Sequence, residues 1–218
     1  MKILILVASC RTPPYDALER AQRETWDSVS VPGVETHFYH CTDLESMIPC
    51  FLEATEPSFE WDHDFIFRTN SSSYVDKARL LEHAETLPRE RCYQGVDGDG
   101  FASGSGFFIS PDVEEMLRLN SSGRYHDEAP LLTIARANPE LIEDVAIGLC
   151  LARRGVTVTP GARREDYWLL HFQSQFYGLP LDEKILDAYH VRCKGDGIDR
   201  TKDVEAMRAV HEIKIGAR

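Results

Sequence analysis

Cysteine pairs at metal or redox spacing are missing from this sequence. Cys10, Cys41, Cys50, Cys92, Cys150 and Cys193 are scattered, and none forms a Cys-x-x-Cys. That excludes a zinc framework, and a chain of 218 residues that is 43% hydrophobic can bury a core without disulfide staples. The thiols read as reduced, which fits a cytoplasmic location. An excess of positive charge is missing too: the formal net charge is -12. A broad phosphate-gripping face is therefore not expected, and nucleic acid is an unfavoured partner. No apolar run approaches the ~20 residues of a membrane span, so no membrane partner is expected. Val7-Ala8-Ser9-Cys10 fits a lipoprotein cleavage box. The apolar run before it is shorter than a secretory segment, and it reads instead as a first buried strand. Sequons at Asn70 and Asn120 would matter only in a secreted chain. Repeats, low-complexity tracts and linkers are also lacking.

What remains is an alternation of strand and helix patterns, which predicts one α/β domain over residues 1–218. Lys2–Ala8 is continuously apolar, as a strand buried on both faces must be. Pro13 and Pro14 should hold an extended connector, and Asp16 should cap a helix from Ala17 to Asp27. Glu35–His40, Phe65–Thr69, Arg91–Gln94, Ala102–Ser110 and Val156–Thr159 read as strands. Helices are expected over Leu44–Ala54 with a break at Pro49, Asp76–Thr86, Asp112–Leu119, Leu141–Arg154 and Thr201–His211. Asp64–Asp76 organises the rest: a buried strand empties into the polar turn Asn70-Ser71-Ser72-Ser73, and a helix follows. Ligands of open α/β sheets sit at such carboxyl ends.

Several residues could carry chemistry, and each has a plainer reading. Asp62 and Asp64 precede a strand, at the wrong end for a carboxyl-edge site. Asp97 and Asp99 lie in a glycine-rich hairpin turn. Glu143 and Asp144 open a helix, where acids complement the dipole, but a carboxylate there can also act as a general base. Arg20 and Arg23 share one helix face, which suits a solvated surface equally well. His190, Arg192 and Lys194 alternate, so on an extended segment they project together as a positive patch. Such a patch suits a diphosphate, or merely protects a sheet edge.

Four segments in order resemble the inverting glycosyltransferases of the β-1,3-galactosyltransferase and Fringe type, family 31, which have a GT-A fold. They are Arg20–Trp26 (RAQRETW), Phe65–Val75, Ala102–Ser110 (ASGSGFFIS) and Glu143–Gly148 (EDVAIG). The resemblance implies a GT-A-like, Rossmann-related mixed sheet, mostly parallel and flanked by helices. It implies hexosyl or pentosyl transfer from a nucleotide-sugar, a UDP-sugar first, to a glycan or other hydroxyl acceptor. Asp144 looks like the base and Glu143 its neighbour, with Gly104 lining the donor sugar. The family's three metal-site aspartates are replaced here: Arg68-Thr69-Asn70-Ser71-Ser72 stands where Lys-Thr-Asp-Asp-Asp is usual. Neutral Asn and Ser bind Mg²⁺ or Mn²⁺ weakly, so no metal cofactor is expected, a weakly bound Mn²⁺ or Mg²⁺ being the alternative. Arg192 and Lys194, with His190 and Arg200 nearby, are then expected to balance the diphosphate. Arg11, Arg23 and Arg68 are further donor-binding candidates, and Asn70, Ser71 and Ser72 should hydrogen-bond ribose or phosphate. Two rivals stand beside this reading: an inactive relative that binds nucleotide or glycan, and a transferase acting on a hydroxylated DNA base.

Overall fold

All seven residues of β1 (Ile3–Ser9) are buried, and alternate side chains enter opposite cores. Ile3, Ile5 and Val7 belong to one apolar cluster, and Leu4, Leu6 and Ala8 to the other. The uninterrupted apolar run therefore follows from a strand with no solvent face. The structure, a computed structural model, describes residues 1–43, 46–56, 62–119, 129–195 and 199–217. Asn120 and Leu44 fall outside those residues.

After β1 come α1 (Tyr15–Glu24), β2 (Val34–His40), α2 (Met47–Ala54), β3 (Phe65–Asn70) and β4 (Ser73–Val75). Next are α3 (Lys77–Ala84), β5 (Tyr93–Asp97), β6 (Ala102–Ile109), α4 (Pro111–Arg118), α5 (Pro130–Ala137) and α6 (Glu143–Ala152). The chain continues through β7 (Arg164–Asp166), α7 (Tyr167–Tyr177), α8 (Leu181–Asp187), β8 (His190–Arg192) and α9 (Thr201–Gly216). The main sheet has the order β2-β1-β3-β6-β5. β1 is parallel to β2 and β3, whereas β6 runs antiparallel to both β3 and β5. Only β6 opposes the other strands, so the sheet is mixed and mostly parallel, as expected. A second sheet, β4-β8-β7, stands at the carboxyl edge of the first.

Helices cover both faces. Leu80, Ala84, Tyr167, Met207 and Val210 pack on one side, and Phe51, Val113, Leu117, Leu131, Ala146 and Ile147 on the other. Each of the larger aliphatic and phenylalanine side chains contributes about 1.5–3 kcal/mol relative to exposure. Among the described residues, no helix is long and apolar enough to cross a membrane.

Several expectations shift. Pro14, not Asp16, is the N-cap of α1; Asp16 lies inside the first turn and meets the dipole there. Residues 11–14 form a bend and turn with a cis Pro13–Pro14 bond instead of an extended connector. Pro49 does not break α2, because it sits in the first turn, where backbone N–H groups lack intrahelical partners anyway. Val156–Thr159 forms no strand: Thr159 makes a single bridge to Gln94, and Pro160 after it has no N–H to extend a ladder. The small sheet, α5, α7 and α8 were not expected.

Candidate active site

The carboxyl ends of β1 and β3 and the residues after β2 open into a cleft of about 370 Å³. Ser9, Cys10, Thr12 and Tyr15 line one side, and Cys41, Thr42, Asp43 and Met47 another. Asn70, Ser71 and Ser72 form the floor, and Lys194 and Arg200 complete the wall. The polar turn is fixed from beneath by α1. Gln22 Nε2 donates to the Asn70 and Ser73 carbonyls at 3.0 and 2.9 Å, and Trp26 Nε1 donates to the Ser73 carbonyl at 3.0 Å. The useful residues of RAQRETW are thus the buried Gln22 and Trp26; helical spacing from Leu18 would have pointed inward to both.

Arg23 faces outward, bonded to Glu19 at 2.8 Å and stacked 3.9 Å over Phe38, away from the cleft. Arg11 is exposed between the cleft residues Cys10 and Thr12. Arg68 lies inside the protein: its side chain and that of Glu143 are each 2% exposed and form an ion pair. Arg68 also donates to the Gly104 carbonyl and, at 3.3 Å, to the Tyr39 hydroxyl, which donates to Glu143 at 3.4 Å. Burial pushes the Glu143 pKa up against the pull of Arg68. Neither group faces the cleft; together they clamp the start of α6 to β3 and β6.

Asp144, next to Glu143, is half-buried and is not among the residues lining the cleft. Its Oδ2 accepts the Gly104 N–H at 2.8 Å, while Asn70 Nδ2 donates to the Gly104 carbonyl at 3.2 Å. One residue, through its N–H and its carbonyl, therefore joins the floor of the cleft to the candidate base. A Cβ at Gly104 would come within 3.1 Å of Asp144 Oδ2, so glycine permits the approach.

The expected trio on the last strand separates. His190 is buried, bonded to Ser73 Oγ at 2.9 Å and packed on Gly106. Burial and the cations Arg164 and Arg192 push its pKa down to about 3, so it is neutral and adds nothing to a positive patch. Arg192 turns to Asp166 at 3.4 Å. Lys194 lines the cleft, and among the described residues it has no carboxylate partner. It gets there because β8 pairs with β4, Ser73 opposite Arg192, and the Cys193 N–H bonds the Ser72 carbonyl at 2.8 Å. Arg200 donates to Ser72 Oγ at 2.6 Å and is held by the fully buried Asp203, also at 2.6 Å.

Among the described residues, no three metal-ligating side chains cluster. More directly, the Asn70–Ser72 turn presents an amide and hydroxyls, with the Arg200 guanidinium already on Ser72. Neutral oxygens beside a fixed cation make that turn a poor ligand set for a divalent metal, and Asp43 is the carboxylate among the lining residues. Asp97 caps its own turn by accepting the Gly100 N–H at 2.9 Å, and Asp62 pairs with Lys2 at 2.7 Å.

The strand order, the single reversed strand and the edge cleft define a GT-A-like glycosyltransferase fold. A crystal structure of a glycosyltransferase involved in the glycosylation of the major capsid of PBCV-1 matches 95% of this chain and 100% of its own, with a TM-score of 0.62. The two sequences are 14% identical, so the likeness is one of fold. No family model and no curated protein sequence matches the chain.

Proposed function

We propose that the protein transfers a sugar, with inversion, from a nucleotide-diphosphate sugar to an acceptor hydroxyl, with cationic side chains in place of a divalent metal. The observation that carries this reading is Gly104, whose carbonyl accepts from Asn70 on the cleft side and whose N–H donates to Asp144. The nucleotide occupies the cleft, where Tyr15 offers a ring face and Thr12 a hydroxyl. Lys194 and Arg200 meet the diphosphate, with Ser71 and Ser72 hydroxyls beside them. As the bond from sugar to diphosphate breaks, negative charge grows on the leaving oxygen, and preorganised cations stabilise it there. Asp144 takes the proton from the acceptor hydroxyl, which attacks the anomeric carbon on the face opposite the diphosphate. General-base help of this kind contributes about 10²–10⁴ in rate. Glu143 and Arg68 act one layer back by fixing the backbone that carries Asp144.

A melting-temperature screen with nucleotide-sugars identifies the donor, since a ligand of the folded state raises the transition by mass action. With that donor, Asp144→Asn is expected to abolish transfer while nucleotide affinity stays close to wild type. Equal loss of both removes Asp144 from the base role. A chelator is expected to leave most activity; complete dependence on added Mn²⁺ refutes the charge-replacement reading.

A further inference from the structure

Strand β7 carries a cation that this reaction leaves unused. Arg164 donates from Nη1 to Ser105 Oγ, and among the described residues its Nε and Nη2 have no hydrogen-bond partner. No carboxylate among those residues is within ion-pair distance of it. Asp166, two positions along the strand, is engaged by Arg192 at 3.4 Å and by the Leu169 N–H at 3.2 Å. Arg164 is only partly exposed, and burial with the adjacent Arg192 pushes its pKa down. The other partly or fully buried arginines nearby each have an acid: Arg68 has Glu143, Arg192 has Asp166 and Arg200 has Asp203. With 36 acidic residues against 24 lysines and arginines, the chain does not lack acids to place there.

The position is as telling as the missing counter-ion. Ser105 follows Gly104, whose carbonyl accepts from Asn70 and whose N–H donates to Asp144. Ser103 Oγ lies 3.1 Å from Ser105 Oγ. Side chains alternate along β6, so Ser103 and Ser105 share the Arg164 side while Gly104 turns toward Asp144. Arg164 therefore flanks the start of β6 opposite the candidate base.

We propose that Arg164, with Ser103 beside it, recognises an anionic group, a carboxylate or phosphate, carried by the transferred sugar or by its acceptor. This rests on the glycosyl-transfer reading and narrows its substrate class. The free Nε–Nη2 edge of a guanidinium matches two oxygens of one anion as a fork, which an ammonium group cannot reproduce. Arg192, its own pair only part-buried, adds to the positive field on that side.

The test titrates wild type, Arg164→Gln and Arg164→Lys, with melting curves to establish that each folds. UDP, UDP-glucose and UDP-glucuronate form the donor arm. Free glucose, glucuronate and glucose 6-phosphate, each with and without UDP, form the acceptor arm. Wild type is expected to prefer the anionic ligand over its neutral counterpart by about tenfold or more in one arm, the size of a charged hydrogen-bonded contact. Arg164→Gln should erase that preference and Arg164→Lys should retain only part of it. Equal affinities in both arms, or a preference that survives Arg164→Gln, overturn the inference. So does an equal loss of affinity for UDP itself, which would make Arg164 a diphosphate ligand. If UDP does not bind wild type, the nucleoside diphosphate found in the melting-temperature screen takes its place, and if none in that screen binds, the transfer reading fails by itself. The titrations without UDP then decide the inference: Arg164-dependent binding of the anionic sugar upholds it, and its absence overturns it.

Discussion

Breaking the Arg68–Glu143 pair should cost far more than deleting it whole. Both side chains are 2% exposed, so removing one partner strands the other in a medium that solvates it poorly. Glu143→Gln keeps the shape and leaves a buried guanidinium; Arg68→Met keeps the stem and leaves a buried carboxyl. Each single change should cost about 3–5 kcal/mol. A domain of this size has about 5–15 kcal/mol in total, so a midpoint shift of roughly 6–20 °C follows. The double variant should cost clearly less than the two singles added together, because no charge is left unpaired. The two singles also differ in their pH dependence. In Arg68→Met the carboxyl has lost the cation that opposed its upward shift, so the folded state holds a proton that the unfolded state, with a pKa of about 4.3, releases. Its deficit should therefore grow as pH rises above about 4.3 and shrink toward acid, whereas the guanidinium left by Glu143→Gln does not titrate. Urea denaturation followed by circular dichroism at pH 5 and pH 8 measures all of this. Single costs below about 1 kcal/mol, or strict additivity in the double variant, refute the argument.

His190, whose pKa is about 3 in the fold against about 6.5 unfolded, should remove stability as pH falls through that window, by up to roughly 4 kcal/mol. His190→Gln should flatten the slope in denaturation curves taken between pH 7 and 4, and an unchanged slope counts against the assignment. Gly104→Ala places a Cβ 3.1 Å from Asp144 Oδ2 and 3.2 Å from Arg68 Nη1. Transfer should fall about tenfold to a hundredfold as the base is displaced, and crowding of the buried Arg68 should lower stability by about 1–3 kcal/mol. Lys194→Gln removes a cleft cation that has no carboxylate partner among the described residues, so stability should stay within about 0.5 kcal/mol. Its affinity for the nucleoside diphosphate, read by calorimetry, should drop roughly tenfold.

Much of the frame was legible because burial on both faces writes itself into composition. Ile3–Ala8 and Phe65–Thr69 read as buried strands, and both are inner strands of the main sheet. The three-residue strands β4, β7 and β8 were not legible, since a period of two needs more residues than that to register. Helix α7, YWLLHFQSQFY, was missed because aromatic residues fill it and no clean polar face appears. Asn70, Ser71, Ser72 and Lys194, which the turn and the alternating basic segment single out in the sequence, line one cleft in the structure. Arg68 was misplaced although its strand phase was available: it alternates with Phe67 and shares a face with Ile66, toward α6 and Glu143. Arg164 gave no signal at all. That it has no carboxylate partner among the described residues is visible only in three dimensions.

The charge-replacement reading asks why cations distant in sequence should be dependable at a turn that has no carboxylates. The pairing of β4 with β8 supplies an answer. The same chain that leaves the floor at Ser72 becomes the strand to which the basic segment is bound, with Cys193 N–H on the Ser72 carbonyl. Further on, Asp203 accepts the Gly195 N–H at 2.8 Å and holds Arg200 on Ser72, so both sides of that stretch are tied to one buried acid. A metal brought from solution must be held by its ligands at every turnover, whereas these cations are placed by folding itself. Preorganisation of that kind is what electrostatic stabilisation of a leaving group requires. It also predicts which change is most damaging. Losing the Asp203 charge should release Arg200, and Asp203→Asn should weaken nucleotide binding more than Lys194→Gln although Asp203 is fully buried and does not line the cleft. Equal or smaller loss in Asp203→Asn would mean that Arg200 holds its place without it.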